Sequence, residues 1–406
     1  MRILLSAYAC APNRGSEPGI GWMWTEVLGR HHELHVLTAE WAKPHIMAAG
    51  RPEVSFHFIP DLFDRASRWP FGLGWLHYDL WQRRALSLAR ELHAVHAFDL
   101  VHHVTYGTWR SPSYLWKLGI PLVLGPLGGG ERVPDEFRRL LGPTGRLREL
   151  VRDLHQRVAC LSPQIRSSIR RAAAVITANH PTRDFVLRHF HRDSTVLSSI
   201  AMPLSVCSAS LAAGSPDRPL EIVWVGLLEP RKGLRLALEA LARLPAPLCV
   251  RLTVVGDGPD DRACRALVSQ RGLDGVVTFA GLLPHEQILD RLSAADLFLF
   301  PSLRDSAGFA VLEAMAAGLP IVCLRGCGPE EITSDDCAIR IAPLSPEQTI
   351  QGLAAAVERL RQDRALRQRL GEAGRARVAS EFSWARKLEV VQAVYDSVTS
   401  GRGGDG

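Results

Sequence analysis

Two short stretches of this chain carry residue types suited to an anionic, hydroxyl-rich ligand. In Ala295–Val322, ADLFLFPSLRDSAGFAVLEAMAAGLPIV, an apolar strand ends at Pro301, a polar loop follows, and a helix opens around Gly308 and Phe309. Glycine there lets a ligand approach the backbone, and the first N–H groups of a helix lack intrahelical acceptors, so they can take up phosphate charge. Asp305 and Glu313 are separated by seven residues, one acid in the loop and one a turn into the helix. Each can accept hydrogen bonds from sugar hydroxyls; a helix-capping acid beside an ordinary surface Glu is the competing reading. In Trp224–Gly233, WVGLLEPRKG, a strand delivers Gly226 to a turn, and Pro230 sits just before a helix with Arg231 and Lys232 at its start. Two cations there oppose the helix dipole unless an anion sits between them. A diphosphate supplies that charge, and Arg and Lys are its usual partners; two solvated surface cations are the alternative.

The first half offers looser signals. NRGSEPGIG (13–21) follows the first strand and opens a helix, but it lacks the G-x-G-x-x-G spacing of a dinucleotide site. Glu40 is the nearest acid to the end of the second strand, where an NAD ribose would need one. In DLVHHVTYG (99–107), strand alternation places His102 and His103 on opposite faces, so at most one faces a ligand; either is equally readable as a core histidine. GPLGGGE (125–131) suggests close approach by a ligand or another domain, with Glu131 as an acceptor-side hydrogen-bond partner or base, or else a plain flexible loop. No metal is expected. Asp260 and Asp261 are adjacent rather than spaced as Asp-x-Asp, and the eight Cys form no CxxC pair, which leaves Cys323, Cys327 and Cys337 as buried thiols rather than a zinc site.

Positioning these residues requires an α/β chain. Short β-branched and leucine-rich runs alternate with helical patterns throughout, the signature of parallel βα units. Strands are expected at Arg2–Tyr8, Leu34–Leu37, Ser55–Ile59, Leu100–Val104, Leu122–Leu124, Val175–Thr177 and Val196–Leu197, with helices at Glu17–Arg30, Leu80–Ala97 and Gly145–Arg171. After a Ser-, Ala-, Pro- and Gly-rich break the pattern restarts, with strands at Glu221–Val225, Arg251–Val255, Val276–Ala280, Leu297–Phe300 and Ile321–Cys323. Two doubly wound, Rossmann-like parallel-sheet domains follow, over 1–205 and 220–381, joined by a linker over 206–219. A last amphipathic helix (382–400) opens at Phe382-Ser-Trp384. In such sheets ligands bind beyond the carboxyl ends of the strands, so the expected active site is the cleft between the domains.

The segment Asp305–x7–Glu313 followed by AMAAGLPIV resembles the E-x7-E donor site of retaining GT-B glycosyltransferases, particularly family 4 (glycosyl transferases group 1). The resemblance spans nearly the whole chain and is most specific in the second half. It implies the GT-B fold, a hexosyltransferase activity and a nucleoside-diphosphate sugar as donor substrate. Glu313 would bind the ribose, Asp305 the donor-sugar hydroxyls, and the backbone at Gly308 and Phe309 the diphosphate. Asp stands where the family has its first Glu, one methylene shorter, which bears on donor-sugar identity. WVGLLEPRKG resembles the family's G-R-L-x-x-x-K-G; Lys232 matches its Lys, Leu227 replaces its Arg, and Arg231 is the candidate substitute. By the same resemblance Leu283 meets the nucleotide base, Gly19 approaches the donor phosphate, and a histidine contacts the donor sugar, with His103 favoured over His102 as nearer the strand end. The final helix would cross back onto the first domain.

Composition narrows the rest. The chain has 406 residues with 47% hydrophobic and 22% charged, which excludes a disordered, collagenous or coiled-coil chain. Of 48 basic residues only Lys43, Lys117, Lys232 and Lys387 are Lys, and Lys232 stands alone in the middle of the chain. Ten Arg against five acids lie between Glu131 and Arg171, a local +5 beside a total of +6. Nucleic acid is a poorer fit to that patch, because no recognised binding module accompanies it. Trp69, Phe71, Trp75, Tyr78 and Trp81 lie beside Arg65, Arg68, Arg83 and Arg84, which suits an anionic membrane surface or a sugar-stacking groove; core packing is the other reading. The expected acceptor is a glycan or lipid-linked glycan of cell-surface polysaccharide synthesis, handled by a cytoplasmic protein, peripheral at the inner membrane face. A nucleotide-sugar epimerase of the same fold and a non-catalytic nucleotide-sugar-binding partner are the rival functions.

Overall fold

The computed structural model describes residues 1–12, 14–61, 74–202 and 218–400. By their internal contacts the residues form two compact units: Met1–Gly130, Arg152–Ser199 and Lys387–Gly406 make the first, and Glu131–Val151 with Ile200–Arg386 the second.

The first unit is built on seven parallel strands, β1 (Arg2–Ala7), β2 (Glu33–Ala39), β3 (Ser55–Ile59), β4 (Leu100–Thr105), β5 (Leu122–Leu127), β6 (Ala174–Thr177) and β7 (Thr195–Val196), in the order β3-β2-β1-β4-β5-β6-β7. All six residues of β4 are buried, because helices cover both faces of a parallel sheet. The covering helices include α1 (Ser16–Gly29), α2 (Lys43–Ala49) and α3 (Gly74–His96).

The second unit has six parallel strands, β8 (Leu220–Val225), β9 (Val250–Val255), β10 (Val277–Gly281), β11 (Leu297–Phe300), β12 (Ile321–Leu324) and β13 (Ala338–Ile341), in the order β10-β9-β8-β11-β12-β13. Both sheets are doubly wound, the expected class. Chain order reverses between β1 and β4 in one sheet and between β8 and β11 in the other, and ligands of open α/β sheets bind beyond the carboxyl ends at such switch points.

Several expectations change. The helix expected over Gly145–Arg171 is two helices, α4 (Gly142–Leu161) and α5 (Pro163–Arg171). Ser162 breaks them apart, its Oγ accepting from Ile165 N at 3.4 Å, with Pro163 in the first helical turn. Residues 131–151, expected with the first domain, pack with the second unit, where Glu149 of α4 accepts from Arg304 Nη2 at 2.6 Å. The arginine patch is therefore divided between the units. Tyr78 and Trp81 lie in the core at 3% and 1% exposure, which removes them from any surface groove. Trp69, Phe71, Arg65, Arg68, the side chain of Trp75 and positions 206–217 of the expected linker lie outside the described residues. The last helix, α14 (Trp384–Ser400), belongs from Lys387 onward to the first unit.

Candidate functional site

In the second unit the loops after β8 and β11 carry the chemistry. The first ends in a 3₁₀ turn, Pro230–Lys232, so Arg231 and Lys232 stand just before α7 (Leu234–Leu241) rather than inside its first turn. The second leads through Asp305 to Gly308, which caps α10 (Phe309–Ala316). The loops are stitched together: Leu303 N donates to Arg231 O at 2.9 Å, and Arg231 Nη1 donates to Arg304 O at 3.0 Å. Lys232 Nζ forms an ion pair with Asp305 Oδ2 and lies 5.4 Å from the centre of the Phe300 ring.

Asp305 does two things at once. Its other carboxylate oxygen accepts from Ala307 N at 3.2 Å and Gly308 N at 3.1 Å, which shapes the entry to α10. Burial pushes its carboxyl up, but the Lys232 ammonium and these amides more than offset it and leave it below the ordinary carboxylate range. Gly308 has φ 68°, a left-handed conformation costly for other residues, and a Cβ there would come within 2.9 Å of Ile332 Cδ1. Phe309 beside it is 39% exposed.

Arg231 Nε also pairs with Glu229 Oε2 at 2.6 Å. A third cation, Arg304, escaped the sequence reading. Burial lowers its guanidinium from the ordinary value, and Glu149, its partner, opposes that shift. Glu131 is buried and its charge acts on Arg304, so it belongs to this network of the second unit and not to an acceptor surface.

Glu313 is nearly buried, and its Oε1 lies 2.6 Å from Nε2 of exposed His285. His285 opens α9 (His285–Ala294), immediately after half-buried Leu283 and Pro284. The hydrogen bond to Glu313 raises the His285 pKa above its ordinary value. Sequence carried a faint signal here, since His285 is two residues beyond Leu283, but nothing in it joined His285 to Glu313. Asp260 accepts from Arg235 Nε at 2.9 Å, and Asp261 from Arg265 Nε at 2.8 Å. Among the described residues no three His, Cys, Asp or Glu side chains gather as a metal site would need. Cys323, Cys327 and Cys337 are buried, with no disulfide among the described cysteines.

The first unit's strand ends are of another kind. Tyr8, just past β1, packs against Tyr78, Trp81 and Tyr106 with ring centres 5.3, 5.0 and 4.9 Å away. His102 faces one side of the sheet: its Nε2–H donates to Gly125 O at 2.8 Å, and Nδ1 accepts from Tyr395 O–H at 2.6 Å. Both nitrogens are thereby used inside the protein, which takes His102 out of contact with a substrate. His103 faces the other side, 3.2 Å from Tyr78 Oη and 3% exposed. Burial pushes both imidazoles down to about 4, so both are neutral at pH 7.

Gly19 lies within α1, where a Cβ would collide with the Arg14 carbonyl; the loop's own backbone makes the close approach there. The glycine run before Glu131 is likewise engaged from within, Gly129 O accepting from Arg152 Nη2 at 3.0 Å and Gln156 Nε2 at 2.8 Å. Two groups here were missed. Glu17, in the first turn of α1, lies 3.5 Å from Gly107 N, and burial pushes its carboxyl up to about 7. His77 Nε2 lies 2.9 Å from Asp61 Oδ1 and 3.2 Å from Tyr8 Oη.

Lys232, Arg231, Asp305, Gly308 and Phe309 thus converge at one switch point, Glu313 pairs with His285, two positions beyond Leu283, and His103, His102 and Gly19 belong to the other unit. The two parallel doubly wound sheets are those of the GT-B glycosyltransferases. Residues 212–377, within the second unit, match the family described as glycosyl transferases group 1. The fold extends over the whole chain. Sucrose-phosphate synthase from Thermosynechococcus elongatus superposes with a TM-score of 0.68 at 18% identity, over 98% of this chain and 99% of its own. Anabaena HepE, solved in complex with UDP and glucose, superposes with a TM-score of 0.65 at 17% identity, over 98% of this chain and 100% of its own. Among curated relatives, the putative colanic acid biosynthesis glycosyltransferase WcaL of Salmonella typhimurium is 35% identical over 148 residues, 35% of this chain and 36% of that protein. The chain thus spans little more than a third of that relative's length.

Proposed function

We propose that this protein is a retaining, metal-independent glycosyltransferase that moves a sugar from a nucleoside-diphosphate donor to a hydroxyl of a glycan or lipid-linked glycan, in polysaccharide synthesis at the cytoplasmic face of a membrane. The observation that carries this reading is the Lys232–Asp305 pair beside the opening of α10, in the unit that matches the group 1 family. Relatives named for colanic acid and amylovoran biosynthesis support the polysaccharide setting, and HepE with UDP and glucose supports the donor class.

In the reaction, the bond from the anomeric carbon to the diphosphate oxygen breaks heterolytically, and its electron pair leaves with the diphosphate. The acceptor oxygen bonds to the same face of the oxocarbenium-like carbon, and its proton passes to a diphosphate oxygen. Lys232, Arg231 and the opening amides of α10 stabilise the charge that develops on the leaving group. In the resting protein Lys232 and Arg231 are held by Asp305 and Glu229, so a diphosphate enters by competing with those carboxylates. Cations already fixed at the strand ends can balance the leaving group without a metal ion. Neutral His103 suits a hydrogen bond to a sugar hydroxyl, and Glu313 suits the ribose.

The test is turnover of UDP- and GDP-sugars with an oligosaccharide acceptor in excess EDTA, with the product's anomeric configuration read by NMR. Transfer with retention is expected. Inversion, a strict metal requirement, or donor isomerisation without acceptor overturns the proposal, the last in favour of an epimerase.

A further inference from the structure

Helix α4 is inside out. Its inward face is polar: Glu149 pairs with Arg304, and Arg152 and Gln156 both donate to Gly129 O. Its outward face is apolar. Leu147, Leu150, Val151, Leu154, Val158 and Leu161 are each 56–77% exposed. At about 100° per residue these six positions fall within a stripe roughly 100° wide that runs about 21 Å along the helix. A surface helix ordinarily turns such a stripe to the core, and contiguous exposed apolar area marks an interaction surface.

The charges around the stripe name the partner. On the same helical projection Arg146 and Arg157 border one edge of the stripe, while Arg148 and His155 border the other, all of them exposed. Of the helix's acids, Glu149 lies on the opposite side, while half-buried Asp153 projects next to Arg146, one step farther from the stripe. An apolar stripe flanked by exposed arginines, Arg146 and Arg157 on one side and Arg148 on the other, is the pattern of a helix lying in a membrane interface, with aliphatic side chains among the acyl chains and guanidinium groups at the headgroups. A second copy of the helix fits worse, because antiparallel pairing would set each flank against its own copy, with three exposed arginines and only Asp153 to offset them. No helix among the described residues is long and apolar enough to cross a membrane. We infer that the outward face of α4 docks on an anionic lipid surface. The inference rests on the proposed reaction only in that a lipid-linked acceptor gives the docking its purpose.

The test is flotation of the full chain with phosphatidylglycerol–phosphatidylcholine vesicles and with pure phosphatidylcholine vesicles, at low and high salt. Expected is salt-sensitive binding to the anionic vesicles, at least ten-fold above the neutral ones. The double variant Leu150→Asp/Leu154→Asp should lose it, and Arg146→Glu/Arg157→Glu should lose the preference for anionic lipid. Both pairs are exposed, so the melting curve should be unchanged. The inference is overturned by absent vesicle binding, by binding that ignores both variants, or by a dimer in sedimentation velocity that the leucine variant dissolves. Vesicle binding without sugar transfer would leave the docking surface standing and refute the enzyme reading; transfer to a soluble acceptor without vesicle binding would do the reverse.

Discussion

At the switch point of the second unit, Lys232, Arg231 and Arg304 stand against Asp305, Glu229 and Glu149. At the same topological position in the first unit, the sheet presents neutral His102 and His103 and the rings of Tyr8, Tyr78 and Tyr106. The same strand order thus serves two opposite electrostatic designs. The second unit holds charge in readiness, each cation bound to a carboxylate that an incoming phosphate can replace. The first unit keeps His102 and His103 uncharged by withdrawing them from water, which suits hydroxyls and sugar faces better than phosphates.

The most damaging way to test that contrast is to discharge the second unit. Lys232→Ala should lower kcat by about 10²–10³-fold, the usual cost of removing one preorganised group that stabilises developing charge. It also leaves Asp305 without its cation, so Lys232→Ala/Asp305→Asn is the folding control. The double variant should melt close to the parent and remain as inactive as the single one. Full turnover by Lys232→Ala would break the comparison at its strongest point.

How much of this was legible in sequence follows from the range of the interactions. The anion-handling loops could be read because each is local: β11, Asp305, Gly308 and α10 lie in one continuous stretch, and glycine and proline punctuate it. What escaped was held by distant partners. Arg304 was passed over because Glu149, which binds it, comes from α4, 155 positions earlier. The same contact draws residues 131–151 into the second unit, against the expected boundary. The edge strand β13 went unseen because Ala338–Ile341 is four residues long and includes Arg340. Strand alternation correctly sent His102 and His103 to opposite faces, but which of them was buried for good depended on Tyr395, 293 positions away. The aromatic cluster read as a surface feature lost Tyr78 and Trp81 to the core, since composition alone does not separate a stacking groove from a packed one.

A second test recharges the first unit. Glu17 has a carboxyl pushed up to about 7 by burial, with the Gly107 amide working weakly against it. Between the ordinary carboxylate value and 7, the folded protein keeps a proton that the unfolded chain has lost. Stability is therefore full below about 4.5, falls as pH rises through that window, and stays reduced above 7. Glu17→Gln removes the penalty. In chemical denaturation the variant should match the parent near pH 4.5 and exceed it by about 1–3 kcal/mol at pH 8. Equal stability at both pH values would mean that the first unit tolerates charge as well as the second does.

The smallest expected effect lies where the second unit borrows a titrating group. His285 is mostly exposed, and Glu313, 2.6 Å away, raises its pKa above the ordinary value. Glu286, the neighbour of His285 on α9, acts in the same direction. Protonated His285 competes with a ribose hydroxyl for the Glu313 carboxylate. Nucleotide affinity should therefore be lowest while His285 is charged and should rise as pH passes upward through its raised pKa. Because solvent screens an exposed pair, the change should be only a few-fold. Calorimetric titration with UDP and GDP at stepped pH measures it, and His285→Gln should give a flat profile at the high-pH affinity. If His285→Gln instead binds nucleotide more weakly at every pH, the imidazole positions Glu313 for the ribose and does not compete with it. The pair would then differ from the Lys232–Asp305 arrangement, whose carboxylate gives way when the ligand arrives.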